Sequence, residues 1–328
     1  MTMPLSLSVA SPLNTLSNPI IPSNSVRTAS TSTETESTFS AVVTAKNAVF
    51  SAATRESNDL YQSMVSDLGL SRSEQSAALK SAEVIGKGKA SQKSDYSLAL
   101  LAKDVYRPTG ANLDGFQRLS DADLLKAGID PASLSDRASG FQAGIYSNQQ
   151  QYVLAFAGTN DMRDWLSNVR QATGYDDVQY NQAVALGKTA KMAFGEALVI
   201  TGHSLGGGLA ATAALATATV AVTFNAAGVS DHTLNRLGIN PAQAKSEAES
   251  GAIRRYSEQY DMLTDTQEST SIIPNAIGHK ITLANNDKLS GLDDWLPHKH
   301  LSRSLAAHRI DKVLSSMSEQ KPWELKNA

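Results

Sequence analysis

One stretch constrains this chain more than any other. Leu198-Val199-Ile200-Thr201 is a short apolar run, Gly202-His203-Ser204-Leu205-Gly206-Gly207-Gly208 follows it, and a small-residue segment continues to Ala218. The first part reads as a buried strand (Ala197–Thr201) and the last as a helix (Gly206–Ala218) packed closely on it. The G-x-S-x-G pentapeptide between them needs a sharp strand-to-helix turn with strained dihedrals at the serine, so its neighbours must lack bulk. Gly202 and Gly206 let the two backbones pass, and the helix N-terminus directs N–H groups toward a developing negative charge. A bare G-x-S-x-G arises readily by chance, but here strand, helix and a G-H-S-L-G-G core coincide. Ser204 is therefore the candidate nucleophile.

The surroundings alternate in the manner of an α/β domain from about Ser94 onward. Tyr96–Tyr106 reads as a buried helix stopped before Pro108. Phe141–Tyr146 and Tyr152–Phe156 read as strands joined by a polar turn, and residues 178–194 as a helix. Val220–Asn225 and Ile253–Tyr260 are further strands, His279 opens a strand Lys280–Leu283, and a single last helix is predicted over roughly 304–317.

Gly202-His203-Ser204-Leu205-Gly206-Gly207 resembles the nucleophile elbow of class 3 (fungal-type) lipases. A second match is Val153-Leu154-Ala155-Phe156-Ala157-Gly158-Thr159-Asn160, similar to that family's strand ending in F-R-G-T. Asp164-Trp165 and Asn168 match its D/N-W-x-x-(N/D) lid region. The resemblance covers about 94–328, departs at Ala157 where the family often carries Arg, and has the short Thr159-to-Ser204 spacing of compact bacterial members. It implies an α/β-hydrolase with a mostly parallel central sheet flanked by helices. It also implies an oxyanion hole at Thr159, to which the amide of Leu205, the residue after the nucleophile, contributes the second donor.

The order Ser, acid, His expected of that fold directs attention downstream. Asp261 ends the strand Ile253–Tyr260 and precedes Ile273-Pro274, much as the family's acid precedes a hydrophobic-Pro segment; Asp231 and Asp265 are alternatives. For the base, His308 opens a His-x-I-x-x-V-L segment resembling the family's terminal one, while His298 and His300 in a loop are alternatives and His279 reads as structural. His298, His300 and His308 form the one metal reading considered, and no H-E-x-x-H helix supports it, so neither metal nor cofactor is expected.

Met162, Trp165, Leu166 and Val169 fall at i, i+3, i+4 and i+7 directly after the oxyanion segment, which predicts a short amphipathic helix. It is read either as core or as a lid that opens onto lipid. Abundant Ala and Leu near the elbow suit an acyl-chain pocket. The function expected is a serine ester hydrolase on lipids, a lipase or phospholipase A acting at a membrane surface. A catalytically silent lipid- or protein-binding module and a lipid acyltransferase are the alternatives.

The N-terminal part is of another kind. Residues 1–40 hold ten Ser, seven Thr and Arg27 as the one charge before Glu34. Too little apolar surface is present to offset ordering entropy, so disorder is expected. No basic region followed by an apolar core is found, which argues against a Sec signal. The composition resembles the N-termini of bacterial type III secreted effectors and implies secretion, with delivery into a host cell; a cytoplasmic location is the alternative. Residues 41–93 read as a helical extension, with Leu60, Met64, Val65 and Leu68 as a stripe and Ser71 with Glu74 as a capping box. This region either packs on the domain at 94–328 or binds a secretion chaperone. A formal charge of -3 argues against a nucleic-acid binder, and the lack of Cys excludes disulfide scaffolds and thiol nucleophiles.

Overall fold

The computed structural model describes residues 85–108, 110, 113–159, 175–270, 273–287 and 295–325. The expectations for residues 1–40, for the helices before residue 85 and for the stripe Met162, Trp165, Leu166 and Val169 lie outside the described residues, as do Asn160, Asp164 and Asn168.

The described chain opens with α1 (Ser94–Asp104), then β1 (Gln117–Arg118), α2 (Asp121–Lys126) and β2 (Ser135–Asp136). A hairpin of β3 (Phe141–Ser147) and β4 (Tyr152–Phe156) follows, and α3 (Tyr175–Phe194) leads into β5 (Leu198–His203), α4 (Leu205–Thr217) and β6 (Val220–Phe224). Two short helices, α5 (Asp231–Arg236) and α6 (Pro241–Glu247), precede β7 (Ile253–Glu258). Then come α7 (Met262–Ser269), β8 (His279–Leu283), α8 (Pro297–His308) and α9 (Ile310–Gln320).

The strands form one sheet in the order β1-β3-β4-β5-β6-β7-β8, with β2 also on β3. From β4 to β8 every pairing is parallel; the pairings of β3 are antiparallel. This is the mostly parallel central sheet flanked by helices that was expected. Along β5, Leu198 and Ile200 point to the side that packs Leu186 and Ala190 of α3 and Leu209 and Ala213 of α4. Val199 between them points to the side of Leu98 and Leu101 of α1 and Val313 and Met317 of α9. Both faces are covered, so the central strands are continuous apolar runs rather than alternating ones.

The parallel register also aligns the strand ends. Phe156 lies opposite Gly202, His203 opposite Phe224, and Phe224 opposite Tyr256. The segments after β4, β5, β6 and β7 therefore leave the sheet along one edge, the carboxyl edge where open α/β sheets build their sites.

Two expectations are corrected. The single helix predicted over roughly 304–317 is two helices, α8 and α9, broken at Arg309, whose backbone is extended at φ -66° and ψ 138°. The break is possible because side chains replace the helix as donors to the last carbonyls of α8. Asn225 Nδ2 donates to Ala307 O at 3.0 Å and to His308 O at 3.2 Å, and His203 Nε2 to His308 O at 2.7 Å. Secondly, His298 and His300 lie on α8 rather than in a loop. Pro297 at the first helical position starts the helix instead of preventing it, because its fixed φ and missing N–H suit that position.

Residues 85–93, at the end of the expected helical extension, carry no helix and are bound to the sheet instead. The buried Arg254 of β7 donates to Gly86 O at 2.7 Å, Gly88 O at 3.2 Å and Gln92 Oε1 at 3.1 Å. It also pairs in bidentate fashion with the buried Asp95 of α1, at 2.6 and 2.8 Å. A buried guanidinium needs most of its donors satisfied, and this network does so.

Candidate active site

Ser204 stands between β5 and α4 as the residue before the first helical position, with φ 59° and ψ -128°. A non-glycine residue there is strained, and such outliers concentrate at functional positions. The neighbouring glycines explain how the turn is tolerated. A Cβ on Gly202 would collide with the Gly206 carbonyl, and one on Gly206 with the Phe156 carbonyl of β4. The elbow is held from two sides: Ser204 N donates to Phe224 O of β6 at 3.0 Å, and Ala227 N to Ser204 O at 2.9 Å. The Ser204 Oγ is buried and without a hydrogen-bond partner among the described residues.

Asp261 follows β7 and caps α7. Its Oδ2 accepts from Thr264 N at 2.8 Å and Thr264 Oγ1 at 2.6 Å, while Oδ1 accepts from His308 Nδ1 at 2.6 Å. Both side chains are almost fully buried. Burial alone would raise the Asp261 carboxyl. The charge and hydrogen bond of His308 and the two bonds from Thr264 outweigh it, so its pKa falls below the usual carboxylate range. With Nδ1 donating to Asp261, His308 Nε2 carries the lone pair when the ring is neutral. That atom too is buried with no partner among the described residues.

His203 links the two halves. Its Nε2 lies 2.7 Å from His308 O, which can only accept, so Nε2 bears the proton. Burial first, and His308 second, push its pKa down to about 3, keeping the ring neutral. Its Nδ1 is then an acceptor and lies 3.4 Å from the Tyr106 hydroxyl, which itself accepts from Gly158 N at 2.8 Å. One chain of bonds thus runs from the backbone beside Thr159, through Tyr106 and the elbow, to the backbone of His308. The imidazole rings of His203 and His308 are 5.0 Å apart.

On the oxyanion side, Gly158 lies against the Leu205 amide: a Cβ there would come within 3.2 Å of Leu205 N. That amide belongs to the first turn of α4, whose N–H groups have no intrahelical acceptor. Thr159, next in sequence, is half-buried at the end of the segment after β4.

The structure therefore brings Ser204, Leu205, Gly158 with Thr159, Asp261 and His308 to one edge, and leaves the alternatives elsewhere. Asp231 is an exposed residue of α5 that pairs with Lys245 at 2.6 Å. Asp265 lies one turn into α7 behind Asp261, and His279 pairs with Glu249 at 2.7 Å. Among the described residues no cluster of His, Asp and Glu could hold a metal ion.

Asn225 and Tyr106 were not legible as site residues. Asn225 is fully buried at φ 42°, and its Oδ1 accepts from Glu258 N at 2.8 Å while Nδ2 holds two carbonyls of α8. The available signal was an Asn closing an otherwise apolar strand before Ala226-Ala227-Gly228, since Asn tolerates positive φ. Tyr106 carried no such signal.

Residues 97–304 match the family model of a phospholipase-like, Tle-like phospholipase domain, a segment that includes Ser204 and Asp261 and ends before His308. The chain is 77% identical over 242 residues to an extracellular phospholipase A1 of Serratia liquefaciens, covering 74% of this chain and 76% of that protein. Among solved structures it is similar to the Rhizomucor miehei lipase propeptide complex (TM-score 0.43, 14% identity, 62% of this chain and 74% of that one). It is also similar to a hyperthermophilic esterase from Pyrobaculum calidifontis (TM-score 0.24, 12% identity, 70% and 92%).

Proposed function

The chain belongs to the Tle-like phospholipase family, a lipid carboxylic ester hydrolase on the α/β-hydrolase fold, and we propose that Ser204, His308 and Asp261 are its catalytic triad, cleaving the sn-1 acyl ester of phospholipids. The observation that carries this reading is the pairing of His308 Nδ1 with the buried Asp261, combined with two buried groups, His308 Nε2 and Ser204 Oγ, that have no partner among the described residues. Burying unpaired polar atoms is costly, and it persists where the atoms serve substrate.

In this reading Ser204 Oγ attacks the ester carbonyl carbon while its proton passes to His308 Nε2. The carbonyl oxygen becomes an oxyanion held by the Leu205 N–H and by the N–H and hydroxyl of Thr159. Collapse breaks the ester bond, the lysophospholipid alkoxide takes the proton from His308, and an acyl-Ser204 remains. Water then attacks the acyl carbon, giving its proton to His308, and the fatty acid leaves with Ser204 regenerated. Asp261 holds the imidazole in the required tautomer and stabilises the imidazolium. The acid set and oxyanion donors argue against a silent binding module.

The sn-1 assignment rests on the phospholipase A1 relative. Vesicles of a phospholipid with different acyl chains at the two positions test it: the parent releases the sn-1 acid, and Ser204→Ala and His308→Ala release neither, at a common baseline about 10⁴-fold or more lower. Release by Ser204→Ala above a few per cent of the parent rejects the nucleophile, and release of the sn-2 acid rejects the position. We further propose that the protein acts outside its cell, like the relative, and that residues 1–40 direct its export. Export that survives their deletion overturns this.

A further inference from the structure

We propose that the start of α8 is the surface by which this enzyme docks on anionic phospholipid membranes, with Trp295, Leu296 and Leu301 entering the lipid and the positive charge of the helix favouring anionic headgroups. The proposal rests on the phospholipase reading, since it places that site against its bilayer.

The apolar exposure is concentrated. Trp295 is 84% exposed, Leu296 38% and Leu301 53%. Isolated exposed leucines are ordinary, but a tryptophan and two leucines within seven residues, with Pro297 and His298 also exposed, form an apolar end on one element. Tryptophan favours the lipid–water boundary because its ring is apolar and its N–H is not.

The charge along α8 is of one sign. From Trp295 to Arg309 there is no Asp or Glu, while Lys299, Arg303 and Arg309 are present with His298 and His300. Asp293 and Asp294 precede this run in sequence and bound it. The chain as a whole carries a formal charge of -3, so this basic segment runs against the average. Each Lys or Arg near an anionic bilayer adds to the attraction. Arg303 is anchored by stacking over the Tyr260 ring at 3.8 Å, which fixes α8 against the residue preceding Asp261.

Position ties the surface to the reaction. α8 ends at the buried His308. Leu301 is seven residues earlier, two turns along the same stripe and about 10 Å from it. Leu305, half-buried, lies between them on that stripe. An apolar track therefore leads from the exposed end of α8 toward His308, so a bilayer contacting Trp295 and Leu301 lies at the far end of the track that reaches His308.

The test compares full-length Ser204→Ala with Ser204→Ala carrying Trp295→Ser and Leu301→Ser, in sedimentation with vesicles of phosphatidylcholine containing phosphatidylglycerol or of phosphatidylcholine alone. The parent partitions onto the anionic vesicles more than onto the neutral ones, and the double substitution lowers that partition about tenfold or more. In the active background the same pair lowers hydrolysis of anionic vesicles by a comparable factor, with hydrolysis of a soluble short-chain ester and the melting temperature unchanged. Unchanged partition overturns the proposal, as does equal binding to neutral and anionic vesicles or a substitution-sensitive dimer in sedimentation velocity. Loss of the triad reading is distinguishable, because it shows as a soluble-ester activity insensitive to Ser204→Ala.

Discussion

Asn225→Asp replaces a single nitrogen by oxygen at the point where the sheet holds the proposed catalytic histidine. Both residues tolerate the positive φ of 42° at this position, so the backbone is not further strained. The Oδ1 acceptor of Glu258 N is retained, while the donor to Ala307 O and His308 O is lost. His308 O keeps its bond from His203, so Ala307 O is the carbonyl that loses this side-chain donor. Two net bonds of about 0.5–1.5 kcal/mol each, together with a buried acceptor deprived of its donor at about 1–3 kcal/mol, give a loss of about 2–6 kcal/mol. The effect depends on pH. The new carboxyl is buried against carbonyl oxygens, so its folded pKa is raised. A protonated carboxyl still donates one bond, so the loss is smallest below the unfolded value of about 3.9 and complete above the folded one. Urea unfolding at pH 5 and pH 8 measures this, and the rate of fluorophosphonate labelling of Ser204 measures whether His308 is still in place. Labelling of the folded fraction falls about 10–100-fold, since a misplaced base costs reaction rate rather than binding. Stability within about 0.5 kcal/mol of the parent at pH 8, with normal labelling, refutes the claim that Asn225 holds the end of α8.

Two further outcomes test other parts of the molecule. Burial raises the pKa of Glu258 to about 7, with Ser316 Oγ bonded to one carboxylate oxygen at 2.8 Å. Between the ordinary carboxylate value and about 7 the native chain holds a proton that the unfolded chain has lost, so this residue makes stability fall as pH rises through that window. Glu258→Gln removes that slope and is more stable than the parent at pH 8 but not at pH 4; parallel stability profiles reject the assignment. Asp261, whose folded pKa is lowered, works in the opposite sense in both proteins: its contribution is present above the unfolded value and lost as pH falls through the folded one. The stripe Met162, Trp165, Leu166 and Val169, read from the sequence as core or as a lid, is tested by Trp165→Ser: in a lid the substitution lowers activity on vesicles far more than on a soluble short-chain ester and leaves the melting temperature nearly unchanged, because a lid contributes little to global unfolding. A large stability loss with parallel activity losses rejects the lid, since truncating a core Trp costs about 3–5 kcal/mol.

Much of the architecture was legible because its causes are local. The elbow declares itself in sequence: a buried strand, a serine on a strained turn and a helix of small residues need glycines at fixed positions, and no tertiary information is required to see why. Strands buried on both faces are short apolar runs, so β4, β5 and β6 stand out within a residue or two of their ends. Ile310, Val313, Leu314 and Met317 fall at helical spacing in the sequence, and the face they form packs on α1 and the sheet. Ser204 and Asp261 follow the ends of β5 and β7, and a parallel sheet puts such strand ends on one edge, so the candidates for nucleophile and acid were legible as neighbours.

What tertiary structure decided is the set of relations across that edge. The last helix reads as continuous because nothing in residues 304–317 breaks its periodicity. It is interrupted at Arg309, where Asn225 and His203, 82 to 105 residues away in sequence, take the carbonyls of Ala307 and His308. The same holds for Tyr106 and Glu258, ordinary residues in sequence whose altered acidity comes from the bodies packed around them. Periodicity and turn chemistry report what a segment does with its own neighbours, whereas a hydrogen bond between distant segments exists only after the sheet has ordered its strands. The sequence by itself therefore determined where the candidate nucleophile had to be. The contacts around it, Asp261 on His308 Nδ1 and His203 on the His308 carbonyl, exist only in the tertiary structure, once the sheet has brought β5, β6 and β7 into register.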